Sequence, residues 1–169
     1  MKKIVWTSLL IVILLISGAL FLLRELTYAQ MPDLKVSARV ALDNSAMAKI
    51  NSVKPSAGSS ESYVFLGQDK LGRALMVFAT KDRVLGSEYQ DKGLSVAKAE
   101  EKARQLIGYK EVSKLAPGIL DPADALSEKA SGKFVWEVYG INSNNRRQYA
   151  YLDFYTGDLL WTYTLNQTN

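Results

Sequence analysis

Among its 169 residues the chain has no cysteine and no histidine. Thiolate zinc sites, iron–sulfur clusters, Cys–His and Ser–His dyads and imidazole metal ligands are excluded with them. Structural disulfides and a lipidated N-terminal cysteine are also excluded, so any part of the chain outside a membrane relies on packing and on another form of anchorage. A strong charge bias is missing too. The 21 Lys and Arg residues against 17 Asp and Glu residues leave a net +4, and the bases are not gathered into the face or stripe that nucleic acid requires. Gly67, Gly72, Gly140 and Gly157 are expected in separate turns, with no glycine-rich loop of phosphate-binding spacing. Metal, cofactor and nucleic-acid ligands are therefore not expected, and an enzyme is the least expected class of function.

Long apolar runs, by contrast, are present. Ile4–Leu23, "IVWTSLLIVILLISGALFLL", carries no charge, and 14 of its residues are Leu, Ile, Val or Phe. At about 1.5 Å per residue such a helix reaches roughly 30 Å, the thickness of a bilayer's hydrocarbon core. A cleaved signal peptide is the rival reading, with Thr27-Tyr28-Ala29 as a poor cleavage site, but the run is longer than an ordinary signal core. The expectation is an uncleaved, single-pass signal anchor. Residues 1–3 form a cytoplasmic stub, residues 4–23 span the cell membrane, and the C-terminal part lies outside.

Beyond the anchor, "LSVAKAEEKARQLIG" reads as a helix. Ser95 is its N-cap and Gly108 its left-handed terminator, with Val96, Ala99, Ala103, Leu106 and Ile107 on one face. A second, looser helical spacing joins Val36, Val40, Met47 and Ile50 in "KVSARVALDNSAMAKIN", with Pro32 kinking or interrupting its path from the anchor. Each helix is followed by alternating apolar runs broken by turn residues. "SYVFLGQDKLGRALMVFATKDRVLGSEY" and "KFVWEVYGINSNNRRQYAYLDFYTGDLLWTY" both read strand, turn, strand, turn, strand. "NSVKP" and "KEVSKLAPGIL" are candidates for short additional edge strands. The second copy carries an insert, "DPADALSEKASG", where Asp121 is placed to cap a short helical turn beginning at Pro122. The fold class is α+β: the anchor, then two repeats, each a helix packed on an antiparallel meander. The domains are expected at 24–91, including a linker helix, and 92–169.

With "GLSVAKAEEKARQLIG" and "YAYLDFYTGDLLWTY" placed in one such unit, the chain resembles the TseB-like cell-wall elongation regulators of Gram-positive bacteria. Their extracytoplasmic part is similar to tandem PepSY-like, cystatin-like domains. The resemblance runs over nearly the whole chain, through a first "YVFLGQD" copy and the "LDFYTGDL" strand–turn–strand, and departs most in the insert between Ile119 and Lys133. It implies no catalysis. It implies a membrane-anchored regulator that contacts a class B penicillin-binding protein and influences peptidoglycan synthesis during elongation.

The remaining chemistry has plain structural explanations. Ser95 and Lys98 match Ser-x-x-Lys literally, but an N-cap accounts for Ser95. Asp121 and Asp124 suit a turn, and Glu100 and Glu101 a solvated helix face. Glu137 and Asp153, inside strands, point to water or meet Arg146 or Arg147 across the sheet. Phe134–Tyr163 holds nine aromatic residues. Alternation puts Phe134, Trp136, Val138, Ala150, Leu152 and Phe154 on the helix side, joined by Leu159, Trp161 and Tyr163. Val135, Glu137, Tyr139, Ile141, Tyr149 and Tyr151 fall on the other side, which is too apolar for an ordinary solvated face. Its cover is the other repeat, a protein partner or stacked glycan strands. The expected partner contacts are Tyr139, Arg146, Arg147, Tyr149 and Tyr151, tyrosine and arginine being enriched at interfaces. Two alternatives stand beside the regulator: an inhibitor or chaperone of an extracytoplasmic protease, as PepSY-like domains are in propeptides, and a peptidoglycan-binding module.

Overall fold

Antiparallel pairing builds most of two sheets. The computed structural model describes residues 14, 17, 18, 33–58 and 62–165. Two units separate at Val36/Ser37, and both sheets belong to the second. The expected span Ile4–Leu23 and the Pro32 kink lie outside the described residues, apart from Leu14, Ser17 and Gly18; among those described, no helix is long and apolar enough to cross a membrane.

The fold is α+β. Helix α1 (Leu34–Asp43) leads into β1 (Met47–Pro55), a two-residue β2 (Ala57–Gly58), and strands β3 (Tyr63–Asp69), β4 (Ala74–Ala79) and β5 (Val84–Tyr89). A 3-10 turn over Gln90–Lys92 connects to α2 (Val96–Ile107), then β6 (Tyr109–Ile119), β7 (Phe134–Asn142), β8 (Arg147–Asp153) and β9 (Leu159–Thr164). The first sheet has the order β1-β3-β4-β5. The second has the order β2-β6-β7-β8-β9, with β2 crossing over from the first copy to pair in parallel with β6.

The two copies agree residue by residue. In β1 against β3, register shifts fall between Met47 and Lys49 and between Ile50 and Ser52; in β6 against β7 they fall between Tyr109 and Glu111 and between Val112 and Lys114. Gly67 pairs with Ile50 as Gly140 pairs with Val112. The following turns also match. Asp69 Oδ1 accepts from the N–H groups of Leu71 and Arg73, and Asn142 Oδ1 from those of Asn144 and Arg146. Gly72 (φ 78) and Asn145 (φ 57) take the same left-handed place. A further bulge follows Phe78 in the first copy and Tyr151 in the second. The helices bury Ser37 and Ala41 in one copy and Ala99 and Ala103 in the other.

Several expectations need correction. Met47 and Ile50 belong to β1, not to a helix, because Asn44 and Ser45 end α1 by returning hydrogen bonds to the Val40 and Ala41 carbonyls. The two candidate edge segments are full strands of nine and eleven residues. On α2, Ser95 accepts from Lys98 N–H and Gly108 has φ 73, as the sequence predicts, but Val96 and Leu106 are exposed. The small Ala99 and Ala103 set the contact instead. The insert forms linked turns rather than a helical turn: Asp121 Oδ1 accepts from Ala123 N–H and Asp124 Oδ1 from Leu126 N–H.

One core joins the copies. Val64, Met76 and Phe78 of the first sheet cluster with Phe134, Trp136, Leu152 and Phe154 of the second and with Ala99 and Ala103 of α2. The Phe78 and Phe134 rings stack at 5.5 Å. Tyr155 donates its hydroxyl to Glu88 at 2.7 Å, and Lys133 its ammonium to the Leu85 carbonyl at 3.0 Å.

Candidate interaction face on the second sheet

The repeat register says which surface of the second copy corresponds to which surface of the first. Leu66 pairs with Met76 as Tyr139 pairs with Tyr149, and Val64 with Phe78 as Glu137 with Tyr151. Phe78 pairs with Gly86 as Tyr151 with Trp161, and Met76 with Glu88 as Tyr149 with Tyr163. The first of each pair of sets is the face that the second copy covers. Its counterpart in the second copy carries two cross-strand rows, Tyr139–Tyr149–Tyr163 and Glu137–Tyr151–Trp161.

These side chains make a continuous aromatic surface. Tyr139 and Tyr149 lie with ring centroids 4.6 Å apart, Tyr151 and Trp161 at 5.8 Å, and Trp161 and Tyr163 at 5.8 Å with planes 10° apart. Trp161 keeps 44% of its surface exposed and Tyr163 50%. The expected place of Trp161 and Tyr163 on the helix side is therefore wrong, whereas Leu159, exposed at the sheet's edge, pairs with Leu152 of that side. The bulge after Tyr151 shifts β9 by one residue, turning Trp161 and Tyr163 outward and leaving Leu160 as the buried residue.

At one end of this face the insert supplies a cover. Leu120, Leu126 and Ala130 close over Val135, Leu160 and part of Tyr151. Between the insert and the aromatic rows lies a groove of about 510 Å³, walled by Leu126, Tyr151 and Trp161, with Asp124 and Lys129 at its edge.

Of the expected contacts, the structure brings Tyr139, Tyr149 and Tyr151 onto one face, all half-buried. Arg147, the first residue of β8, is exposed and pairs with Ile141 at the margin of the same face. Arg146 is exposed in the preceding turn. Neither guanidinium has an ion-pair partner among the described residues. Tyr151 has a structural task besides. Its hydroxyl donates to Glu137 at 2.7 Å, and Lys114 donates to the other Glu137 oxygen at 3.2 Å. Burial, and then this bond to the carboxylate, hold the Tyr151 phenol well above its ordinary range.

Glu137 and Asp153 do not point to water or meet the arginines. Glu137 is buried and bonded to half-buried Tyr151 and exposed Lys114. Asp153 is 1% exposed and ties the β8–β9 turn to the end of the insert, accepting from the N–H groups of Tyr155, Thr156 and Ser131. Burial alone would raise the Asp153 carboxyl, but the N–H donors of Thr156, Ser131 and Tyr155 outweigh it and hold the group below the usual carboxylate range. The reading of the sequence missed Trp161, Tyr163, Lys114 and the groove. No glycine or proline marks the bulge that turns the first two outward; a matching bulge displaces β5 in the first copy.

No family model matches the chain, and no curated protein matches it. Among solved structures it is similar to the YpmB protein from Bacillus subtilis, with a TM-score of 0.64 and 24% identity over 78% of this chain and 96% of that one. The likeness bears on the fold: nearly all of that protein follows the same chain path.

Proposed function

We propose that the protein is a membrane-anchored extracytoplasmic regulator that binds and modulates a class B penicillin-binding protein in peptidoglycan synthesis and cell elongation. Its two copies are read as PepSY-like, cystatin-like domains carried by the anchor at residues 4–23. The sequence resemblance to the TseB-like regulators names the role. One structural observation supports it: the second copy presents, in aromatic form, the face whose counterpart in the first copy is buried against the other copy within the chain. Tyrosine, tryptophan and flanking arginine are the residue types that carry binding energy at protein interfaces.

Alanine at Tyr149, Trp161 and Tyr163 together with Arg146→Glu and Arg147→Glu is expected to reduce co-purification of the synthase with the full chain at least tenfold. Tyr151 is left intact because its hydroxyl serves Glu137. Unchanged recovery of the synthase, with the far-UV circular dichroism of the variant also unchanged, sinks the assignment.

A second reading rests on the groove beside Trp161. Aromatic walls with a carboxylate and an ammonium at the edge suit a sugar ring, which favours peptidoglycan itself as a ligand. In that case purified cell wall sediments the protein, and the Trp161→Ala variant stays in the supernatant.

A further inference from the structure

The second sheet ends in an open edge. Among the described residues β9 pairs with β8 alone and stands last in its sheet. The Leu165 N–H donates to the Arg147 carbonyl at 2.9 Å, and the same register pairs Tyr163 with Tyr149 and Trp161 with Tyr151. Hydrogen-bonded and non-hydrogen-bonded pairs alternate along an antiparallel ladder, so Trp161, Tyr163 and Leu165 turn their N–H and C=O groups towards β8. Thr162 and Thr164, opposite Ala150 and Gln148, turn theirs away from it. A row of outward donors and acceptors is a template for another strand.

The other edge strands are guarded. β1 carries Lys49, Lys54 and Pro55 together with two register shifts, β2 is two residues long, and on β5 the Leu85 carbonyl already accepts from the Lys133 ammonium. Lysine, proline, bulges and shortness are the ordinary means of keeping sheet edges apart. β9 is different: from Leu159 to Asn169 the sequence has no charged residue and no proline. Its bulge, opposite Leu152, lies at Leu159 and Leu160 and leaves Trp161–Thr164 in regular register. The strand also matches itself. Reversed about Thr162, "LLWTYTL" sets Leu159 against Leu165 and Trp161 against Tyr163.

We propose that a second molecule of the same chain adds its β9 to this edge, antiparallel, about a two-fold axis at Thr162. The phase of the ladder fits that axis. The two Thr162 residues exchange their outward N–H and C=O groups as a hydrogen-bonded pair, and Trp161 falls in a non-hydrogen-bonded pair with Tyr163 of the second molecule, where side chains approach most closely. The row Glu137–Tyr151–Trp161 then runs on into Tyr163–Tyr149–Tyr139 of the second molecule. Charge fits as well. Leu159 of the second molecule arrives beside Leu165, which is bonded to Arg147. The exposed Asp158 of one molecule thus comes to the end of the sheet where Arg146 and Arg147 of the other have no ion-pair partner among the described residues. An unrelated strand would have to supply both the matching aromatic rings and that carboxylate, whereas a second molecule brings both. Joining edge to edge leaves the aromatic face uncovered, so the pairing does not rest on the function proposed for that face.

The test uses the full chain in density-matched detergent micelles, with sedimentation equilibrium reading its mass. A reversible dimer is expected. Thr162→Pro removes an N–H that faces away from β8 and so spares the existing ladder; folded, as followed by circular dichroism, it is expected to self-associate at least tenfold more weakly. Because the chain has no cysteine, disulfides report the register directly. Chains carrying Trp161→Cys and Tyr163→Cys under different tags are mixed and oxidised. The proposed pair holds its Cα atoms about 4.5 Å apart, within disulfide reach, so the mixed disulfide should exceed either homodisulfide at least tenfold. A wild-type chain that stays monomeric at every concentration overturns the proposal and leaves the edge to a strand of another protein. A folded Thr162→Pro chain that dimerises as the wild type does overturns it too, since the contact then lies elsewhere. If Thr162→Pro does not fold, the disulfides decide: homodisulfides equal to or above the mixed product overturn the two-fold pairing at Thr162.

Discussion

Individual carboxylates show how residue type under-determines role. Glu137 and Asp153 have the same charge in neighbouring strands, yet one is a buried hub for a tyrosine and a lysine and the other a knot for three backbone N–H groups. Alternation cannot separate these cases, because it reports the face a side chain starts from and not what another segment brings to meet it. For Asp153 that segment is the insert, whose Ser131 N–H is 22 residues away in the chain. Asp153→Asn keeps the size but loses charge and turns one acceptor into a donor. Hydrogen bonds to charged groups contribute about 1.5–3 kcal/mol, so a loss of about 2 kcal/mol at pH 7 is expected by urea denaturation. The folded-state pKa is depressed, so the wild-type contribution is complete above the unfolded carboxyl value of about 3.9 and disappears as pH falls through the lower folded value. The difference between wild type and variant should therefore narrow below about pH 4. A difference that stays constant down to acid unfolding would remove the carboxylate from this role.

At the scale of elements, the shared bulges are the firmest sign of duplication, and they set a demand that only glycine meets. A Cβ on Gly67 would stand 1.9 Å from the Lys49 carbonyl oxygen, and one on Gly140 2.1 Å from the Glu111 carbonyl oxygen. Both obstacles are backbone, so relief requires moving a strand. Gly67→Ala and Gly140→Ala are each expected to cost about 3 kcal/mol or more, by comparison with other overpacking changes, and to do so equally in both copies. Thermal melts of the two variants check this, and a neutral result for either would show that its bulge is pliable. The helix–meander order of each copy, the α2 caps and the β7–β8 faces were legible in the sequence because they depend on local periodicity and capping chemistry. The bulge after Tyr151 was not. It inserts one residue without a glycine or proline to announce it, and that single residue reverses the facing of Trp161 and Tyr163. The strand at Met47 was hidden for a related reason, since two apolar residues three apart fit a helix as well as an irregular strand.

For the whole molecule, the repeat relation explains why the candidate surface exists. The second copy covers one face of the first sheet, and among the described residues the face in the equivalent place on the second copy has only the insert over one end. The first copy resolves this demand with Val64, Met76 and Phe78, residues suited to permanent burial; the second resolves it with tyrosines and a tryptophan, which tolerate water when uncovered. A core shared to this degree also makes the copies thermodynamically one unit, although the chain reads as two domains. Phe78 of the first copy and Phe134 of the second are both buried and stack at 5.5 Å. Phe78→Ala is expected to cost about 3–5 kcal/mol, the usual range for a buried phenylalanine. The loss should appear as a lower midpoint of one transition, followed by far-UV circular dichroism and by Trp136 and Trp161 fluorescence in the second copy. The double variant with Phe134→Ala should lose less than the two single losses added together, by about 0.5–1.5 kcal/mol for a direct aromatic pair. Independent copies would behave differently: Phe78→Ala would split the unfolding curve, leave the second copy's fluorescence transition in place, and add to Phe134→Ala without coupling.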